Sequence, residues 1–154
     1  MRLEVERHVA APIDVVWGVL VDWERQSDWM LDAKRVEVVT PEREGHGVTI
    51  HVPTSLLGLP VLDVMRVTGW DPPHRLEATH LGRVIRGVGA FELSDEAGGT
   101  RLSWWEEVEA PLGALGEFGA GLALPVLRRI FSTSLRRLAA LAEERAHGGP
   151  DAHA

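Results

Sequence analysis

Residues 122–145, LALPVLRRIFSTSLRRLAALAEER, carry apolar side chains at steps of three and four along the whole stretch. Arginine, serine and glutamate fill the positions between them, so the pattern is typical of an amphipathic α-helix with one apolar face. Pro125 fits the first turn, where its missing N–H costs no hydrogen bond, and the Gly-Gly-Pro at residues 148–150 predicts the end of the helix. A single long helix of this kind needs a partner surface for its apolar face.

The chain before this helix supplies such a surface, because most of it has the pattern of β-strands. Apolar and polar residues alternate over residues 3–9, and Pro12 then opens a short helix, followed by a second short helix or structured loop over residues 22–29. Two tryptophans of that second segment, Trp23 and Trp29, are expected to cap the core. Six further strands are predicted, over residues 35–38, 48–52, 61–70, 75–81, 84–93 and 100–108, with an apolar connection at residues 56–60 and a glycine-rich segment at residues 111–121. The order β-α-α-β6-α predicts an α+β fold in which a curved antiparallel sheet wraps one long helix.

Length and composition limit the possible functions. The 154 residues suffice for one domain, expected at residues 1–147, with a flexible tail at residues 148–154. A net charge of −7 argues against a nucleic-acid partner, because neutralising phosphates requires a basic face. Without cysteine the chain has no disulfide, thiolate nucleophile or cysteine-based metal site. No apolar run approaches the roughly 20 residues of a membrane span, and the N-terminus lacks the apolar stretch of a signal peptide, so we expect a cytoplasmic protein.

Three segments resemble a known family. Residues 8–17, HVAAPIDVVW, resemble the opening strand and helix of the START/Bet v 1-like (SRPBCC) superfamily, and more narrowly its bacterial polyketide cyclase/dehydrase group. Residues 70–76, WDPPHRL, and residues 98–104, GGTRLSW, are similar to two further hallmarks of that group. The resemblance covers about the whole chain and implies a helix-grip fold of about seven strands. It also implies a deep, mainly apolar pocket between the sheet and the C-terminal helix, with its mouth near residues 112–121 and 56–60, and no shared catalytic motif.

Strand parity predicts which polar residues face that pocket, because alternate residues of a strand share a face. Arg7 shares a face with Val5 and Val9, and Glu106 shares one with Trp104. The first and last strands are neighbours in this fold, so Arg7 and Glu106 are predicted to form an ion pair on the inner face. A buried pair tends to mark a specific role. The alternative is that twist or a bulge turns one of the two into solvent.

Three more polar residues, Asp63, His80 and Ser134, are predicted to face inward. Together they would form parts of an acid–base site. Each also has an ordinary structural explanation: a charge on an edge strand, a hydrogen-bonded strand histidine, and a small residue that eases helix–sheet contact. The candidate catalytic residues are Arg7, Asp63, His80 and Glu106, and the predicted ligand contacts are Trp70, Trp104, Phe91, Met65, Ile130, Phe131 and Ser134.

Neither a metal nor a cofactor is predicted. The histidine pairs lack the helical spacing and the extra carboxylate of a zinc site. The glycines between residues 113 and 121 do not follow a strand in a βαβ unit, so they do not match a dinucleotide fingerprint. They are interpreted as hinge and close-packing glycines.

Three functions fit these observations. The first is a protein that binds a small hydrophobic or aromatic ligand, such as a polyketide or a lipid, in the apolar pocket. The second is an enzyme of the cyclase/dehydratase type, in which Arg7 would polarise a carbonyl and His80 or a carboxylate would act as base. The third is an interaction or chaperone-like module that uses the apolar connection at residues 56–60, where dimerisation is also possible.

Overall fold

A computed structural model describes residues 1–56, 58–109 and 113–148. Within these ranges, seven strands, two α-helices and one 3₁₀ helix follow in the predicted order. They are β1 (Arg2–Val9), α1 (Ile13–Leu20), the 3₁₀ helix (Trp23–Asp28), β2 (Glu37–Val38), β3 (Thr49–Leu56), β4 (Leu59–Asp71), β5 (Arg75–Leu81), β6 (Arg86–Glu96), β7 (Gly99–Val108) and α2 (Gly113–His147). In the described part of the chain no helix is long and apolar enough to cross a membrane.

The strands form one antiparallel sheet in the order β1-β7-β6-β5-β4-β3-β2. The first and last strands of the sequence are therefore neighbours, as predicted, and β2 lies at the opposite edge. β4 contains a bulge between Val67 and Gly69, which increases the local twist of the sheet. α2 packs against β1 and α1. This arrangement confirms the predicted α+β fold with a long C-terminal helix.

The core lies between the inner face of the sheet and the second half of α2. Alternate residues of the strands, such as Leu3, Leu102 and Trp104, are buried there, which is the expected consequence of the period of two. From α2, Leu135 and Leu138 are almost completely buried. Trp23 and Trp29, which were expected to cap the core, are both buried in it.

The start of α2 differs from the prediction. The helix begins at Gly113, nine residues before the predicted start, and Pro125 lies inside it rather than in its first turn. Proline has no N–H to donate to the carbonyl of Gly121. Water can bond to this carbonyl instead, because the position is exposed. Leu122 and Val126 are 69% and 54% exposed, so the first half of the helix is much less buried than the second.

The apolar connection at residues 56–60 is shorter than predicted. Leu56 pairs with Leu59 in the ladder between β3 and β4, so most of this segment belongs to the two strands. Leu59 and Leu62 are exposed near the tip of the hairpin. Leu57, Leu112 and the tail beyond residue 148, all of which entered the predictions, lie outside the described residues.

Candidate functional site

Three ionisable side chains meet on the inner face of the sheet. Asp63 is on β4, His80 on β5 and Glu106 on β7. The register pairs Met65 of β4 with His80, and Gly89 of β6 with Glu106. Asp63, His80 and Glu106 therefore lie on a diagonal across the sheet, with β6 passing between the histidine and the glutamate. We call these three residues the inner cluster.

His80 holds the inner cluster together through both of its ring nitrogens. Nδ1 lies 2.9 Å from each carboxylate oxygen of Asp63, and Nε2 lies 2.8 Å from Oε2 of Glu106. The side chains of Asp63, His80 and Glu106 are only 11%, 7% and 13% exposed. A carboxylate can only accept hydrogen bonds, so an imidazolium that donates from both nitrogens satisfies this geometry.

Gly89 makes the contact between His80 and Glu106 possible. It lies directly opposite Glu106 in the β6–β7 ladder, and a Cβ atom at this position would overlap the Glu106 carboxylate. The glutamate side chain therefore occupies the space that a larger residue on β6 would fill. Glycine inside a strand often marks such a close approach.

Trp104 connects the inner cluster to an aromatic stack. Its indole Nε1 donates a hydrogen bond of 3.0 Å to Oε1 of Glu106. Its ring stacks on Phe91 of β6 with a centroid distance of 4.8 Å, and on Phe131 of α2 with a distance of 4.0 Å and an interplanar angle of 11°. Trp29 meets the rings of Phe91 and Trp104 edge-on. Flat apolar surface and buried charge thus lie side by side.

The environment of His80 shifts its acid–base equilibrium. Burial by itself lowers the pKa, but the hydrogen bonds to Asp63 and Glu106, together with the negative charge of both carboxylates, outweigh it and raise the pKa from 6.5 to about 10. At neutral pH the ring is therefore protonated. As a protonated donor on both sides, His80 orients the two carboxylates.

A fourth ionisable residue, Asp32, lies near the inner cluster. Desolvation raises the pKa of its carboxyl group, and the negative charges of Asp63 and Glu106 raise it further, against the lowering effect of a backbone hydrogen bond and of His80. A carboxyl group held towards its neutral form beside two other carboxyl groups is an arrangement that can separate acid and base roles. Sequence reasoning missed Asp32, because it lies in a loop without periodicity.

The predicted ion pair between Arg7 and Glu106 is wrong. The register places Arg7 opposite Leu102 and Glu106 opposite Leu3, four positions apart along the paired strands. Arg7 is also exposed, although it has the parity of the buried Val5 and Val9. Its distance from the inner cluster leaves it no part in that cluster.

Two predicted ligand contacts lie in different surroundings from Trp104. The ring centroids of Trp70 and Trp17 are 5.2 Å apart. Trp70 and Trp104 lie at opposite ends of a row of cross-strand neighbours, with Leu76 and Phe91 between them. Ser134 uses its hydroxyl inside the protein, where it donates to the carbonyl of Ile130 and accepts from the N–H of Leu31. The partly buried Met65, Ile130 and Phe131 remain predicted ligand contacts.

Two grooves open at the protein surface. One, of about 450 Å³, lies between β1 and α2 beside Glu4 and Arg128. The other, of about 320 Å³, lies beside Arg25, Trp29 and Leu141. Neither groove is lined by the inner cluster, and the stacked rings occupy the space next to it.

Among the described residues no group of three histidine or carboxylate side chains is arranged to hold a metal ion.

The sequence matches the family model described as polyketide cyclase/dehydrase and lipid transport over residues 1–143. The chain therefore belongs to this family, in agreement with the resemblance noted from its sequence. No curated protein matches the chain.

Solved structures share the fold. The protein TTHA0849 from Thermus thermophilus is 19% identical, with 95% of this chain and 99% of that chain covered and a TM-score of 0.81. The ZhuI aromatase/cyclase from Streptomyces sp. R1128 is 20% identical, with coverage of 97% and 98% and a TM-score of 0.76. A START superfamily protein from Mycobacterium smegmatis is 15% identical, with coverage of 96% and 97% and a TM-score of 0.67. At these identities the similarity establishes the fold.

Proposed function

We propose that the protein binds a small hydrophobic or aromatic molecule between the inner face of the sheet and α2. The observation that carries this proposal is Trp104, which presents a flat ring to Phe91 and Phe131 and donates a hydrogen bond to the buried Glu106. A planar ligand that replaces Phe131 against this ring would meet apolar surface on its face and charge at its edge. Ligand sites in proteins commonly combine apolar walls with a few polar groups in this way.

Access to this surface involves the first half of α2. Phe131 is only half-buried, and the preceding turns of the helix expose Leu122 and Val126. A displacement of these turns would cost little packing energy, because few of their side chains are buried. We therefore place the mouth of the site between the first half of α2 and the sheet.

The experiment is a titration of the protein with fluorene, followed by the quenching of tryptophan fluorescence. Trp104→Leu should weaken binding by at least about tenfold, since aromatic stacking and the buried area of the ring are both lost. The matched control is Trp105→Leu, because Trp105 lies on the same strand but faces the other side, against Arg2. Binding that fails to saturate, or an equal loss in both variants, would contradict the proposal. Native mass spectrometry of protein from its own host would then identify the natural ligand.

The inner cluster also favours a second function, that of a cyclase/dehydratase-type enzyme. Three ionisable groups within hydrogen-bonding distance provide what proton transfer requires. Because His80 is protonated, the base in this reaction would be a carboxylate of Glu106 or Asp63. The carboxylate would take a proton from the carbon next to a carbonyl, a carbon–carbon double bond would form, and the same proton would leave with a β-hydroxyl as water.

Turnover separates the two functions. After the natural ligand has been identified, incubation with the protein should change its mass by the loss of water if the protein is an enzyme. One of the two variants Glu106→Gln and Asp63→Asn should then abolish turnover and keep most of the binding, because the amide preserves the shape of the carboxylate but not its basicity. A ligand that is released unchanged would show that the protein is a binding protein only.

A further inference from the structure

Trp29 is a completely buried residue with an unused hydrogen-bond donor. Its side chain is 0% exposed, yet Nε1 has no hydrogen-bond partner. Leaving a buried N–H without a partner is unfavourable, and buried indole nitrogens usually have a partner. Trp23 shows the usual case, since its Nε1 donates to the carbonyl of Arg43 at 2.8 Å.

Asp32, three residues further along the chain, has the complementary feature. Its Oδ1 atom is buried and has no hydrogen-bond partner, while its backbone carbonyl accepts a hydrogen bond of 2.7 Å from Thr54 of β3. This bond holds the backbone of the residue against the sheet. The residue is therefore fixed at the sheet with one carboxyl oxygen, Oδ1, that no protein group satisfies.

Both unused groups border the region that contains the inner cluster. The ring of Trp29 lies 6.3 Å from the ring of Trp104, which is itself bonded to Glu106. Asp32 is near enough to Asp63, Glu106 and His80 for their charges to act on its ionisation. The loop between the 3₁₀ helix and β2 thus carries two unsatisfied polar groups, three residues apart.

We infer that Trp29 and Asp32 form an oxygen-binding subsite that holds a carbonyl oxygen of an aromatic ketone ligand. The indole N–H donates one hydrogen bond to this oxygen, and the Asp32 carboxyl group, which burial holds towards its neutral form, donates a second. In this position the carbonyl is polarised next to the carboxylates of the inner cluster. The inference rests on the proposed function, because it assigns the polar end of the same ligand site.

The test compares two ligands with the same planar skeleton, 9-fluorenone and fluorene, of which only the first has a carbonyl oxygen. A hydrogen bond contributes about 1 kcal/mol net, so two of them should make the wild-type protein bind 9-fluorenone at least about tenfold more tightly. Trp29→Phe and Asp32→Leu should each reduce this preference, measured as the ratio of the two dissociation constants, to within about threefold. Asp32→Asn, which keeps a donor, should restore most of the preference.

Trp23→Phe is the matched control. It removes an indole N–H that is used inside the protein, so it should lower stability and leave the preference for 9-fluorenone intact. A wild-type protein that binds both compounds equally, or a preference that survives Trp29→Phe and Asp32→Leu, would overturn the subsite and leave the ligand site in place. Failure of the protein to bind either compound would remove the proposed function and the subsite together.

Discussion

The stability of the protein should fall steeply between pH 7 and pH 10 because of His80. The folded state holds the pKa of this histidine at about 10, whereas the unfolded chain returns it to its ordinary value of 6.5. Below pH 6.5 both states carry the proton, so the stabilising contribution is fully present. As the pH rises towards 10, the unfolded state loses the proton while the folded state keeps it, and folding becomes less favourable.

The expected size of this effect follows from the shift in pKa. One pKa unit corresponds to about 1.4 kcal/mol, so a rise from 6.5 to about 10 predicts a loss of about 5 kcal/mol over this interval. Such a loss is a large part of the stability of an ordinary domain, which is about 5–15 kcal/mol. Few other groups contribute in this range, because the chain has no tyrosine, no cysteine and one lysine, Lys34.

The assay is unfolding by urea at one-unit steps from pH 6 to pH 10, followed by tryptophan fluorescence. The free energy of unfolding should decrease by about 1.4 kcal/mol per unit above pH 7. His80→Gln should be less stable at pH 7 and should lose this slope, because glutamine does not titrate. His46→Gln, at an exposed position of the same protein, should keep the slope. A wild-type profile that is flat within about 1 kcal/mol from pH 7 to pH 10 would refute a protonated His80 in the folded state.

Three further predictions concern stability near the site. Gly89→Ala should destabilise the fold by about 3 kcal/mol, because its Cβ overlaps the Glu106 carboxylate and separates it from its partner. Leu138→Ala should cost about 2–5 kcal/mol, since this fully buried residue joins α2 to the core. Ser134→Ala should cost about 1–2 kcal/mol, because a backbone N–H in the loop before β2 loses its acceptor. Urea unfolding measures all three.

Each of these substitutions has a control in the same protein. Gly18→Ala on α1 meets no neighbouring atom and should leave stability unchanged or raise it by up to about 1 kcal/mol. Leu122→Ala and Ser132→Ala, on exposed positions of α2, should stay within about 0.5 kcal/mol of the wild type. Equal losses in the substitutions and in their controls would contradict the contacts described for the site.

Parity alone was a partial guide to the site. It placed Asp63, His80 and Glu106 on the inner face, where the structure has them, because the period of two holds locally around each of these residues. It also paired Arg7 with Glu106, and this prediction failed because parity does not fix register. The register between β1 and β7 places Arg7 and Glu106 four positions apart, and this register is set by the pairing of the two strands along their whole length.

The sequence by itself determined the class of fold and the order of its elements, since both follow from local hydrophobic periodicity and from turn residues. It also determined the family, through short segments that recur at turns and packing positions. Only the tertiary structure decided that His80 reaches Glu106 across Gly89, that Trp104 joins charge to an aromatic stack, and that a loop brings Asp32 beside them. The hydrogen bonds of His80 to Asp63 and Glu106 join residues 17 and 26 positions apart. Such contacts depend on strand register and on the packing of loops against the sheet, and no local pattern in the sequence encodes either.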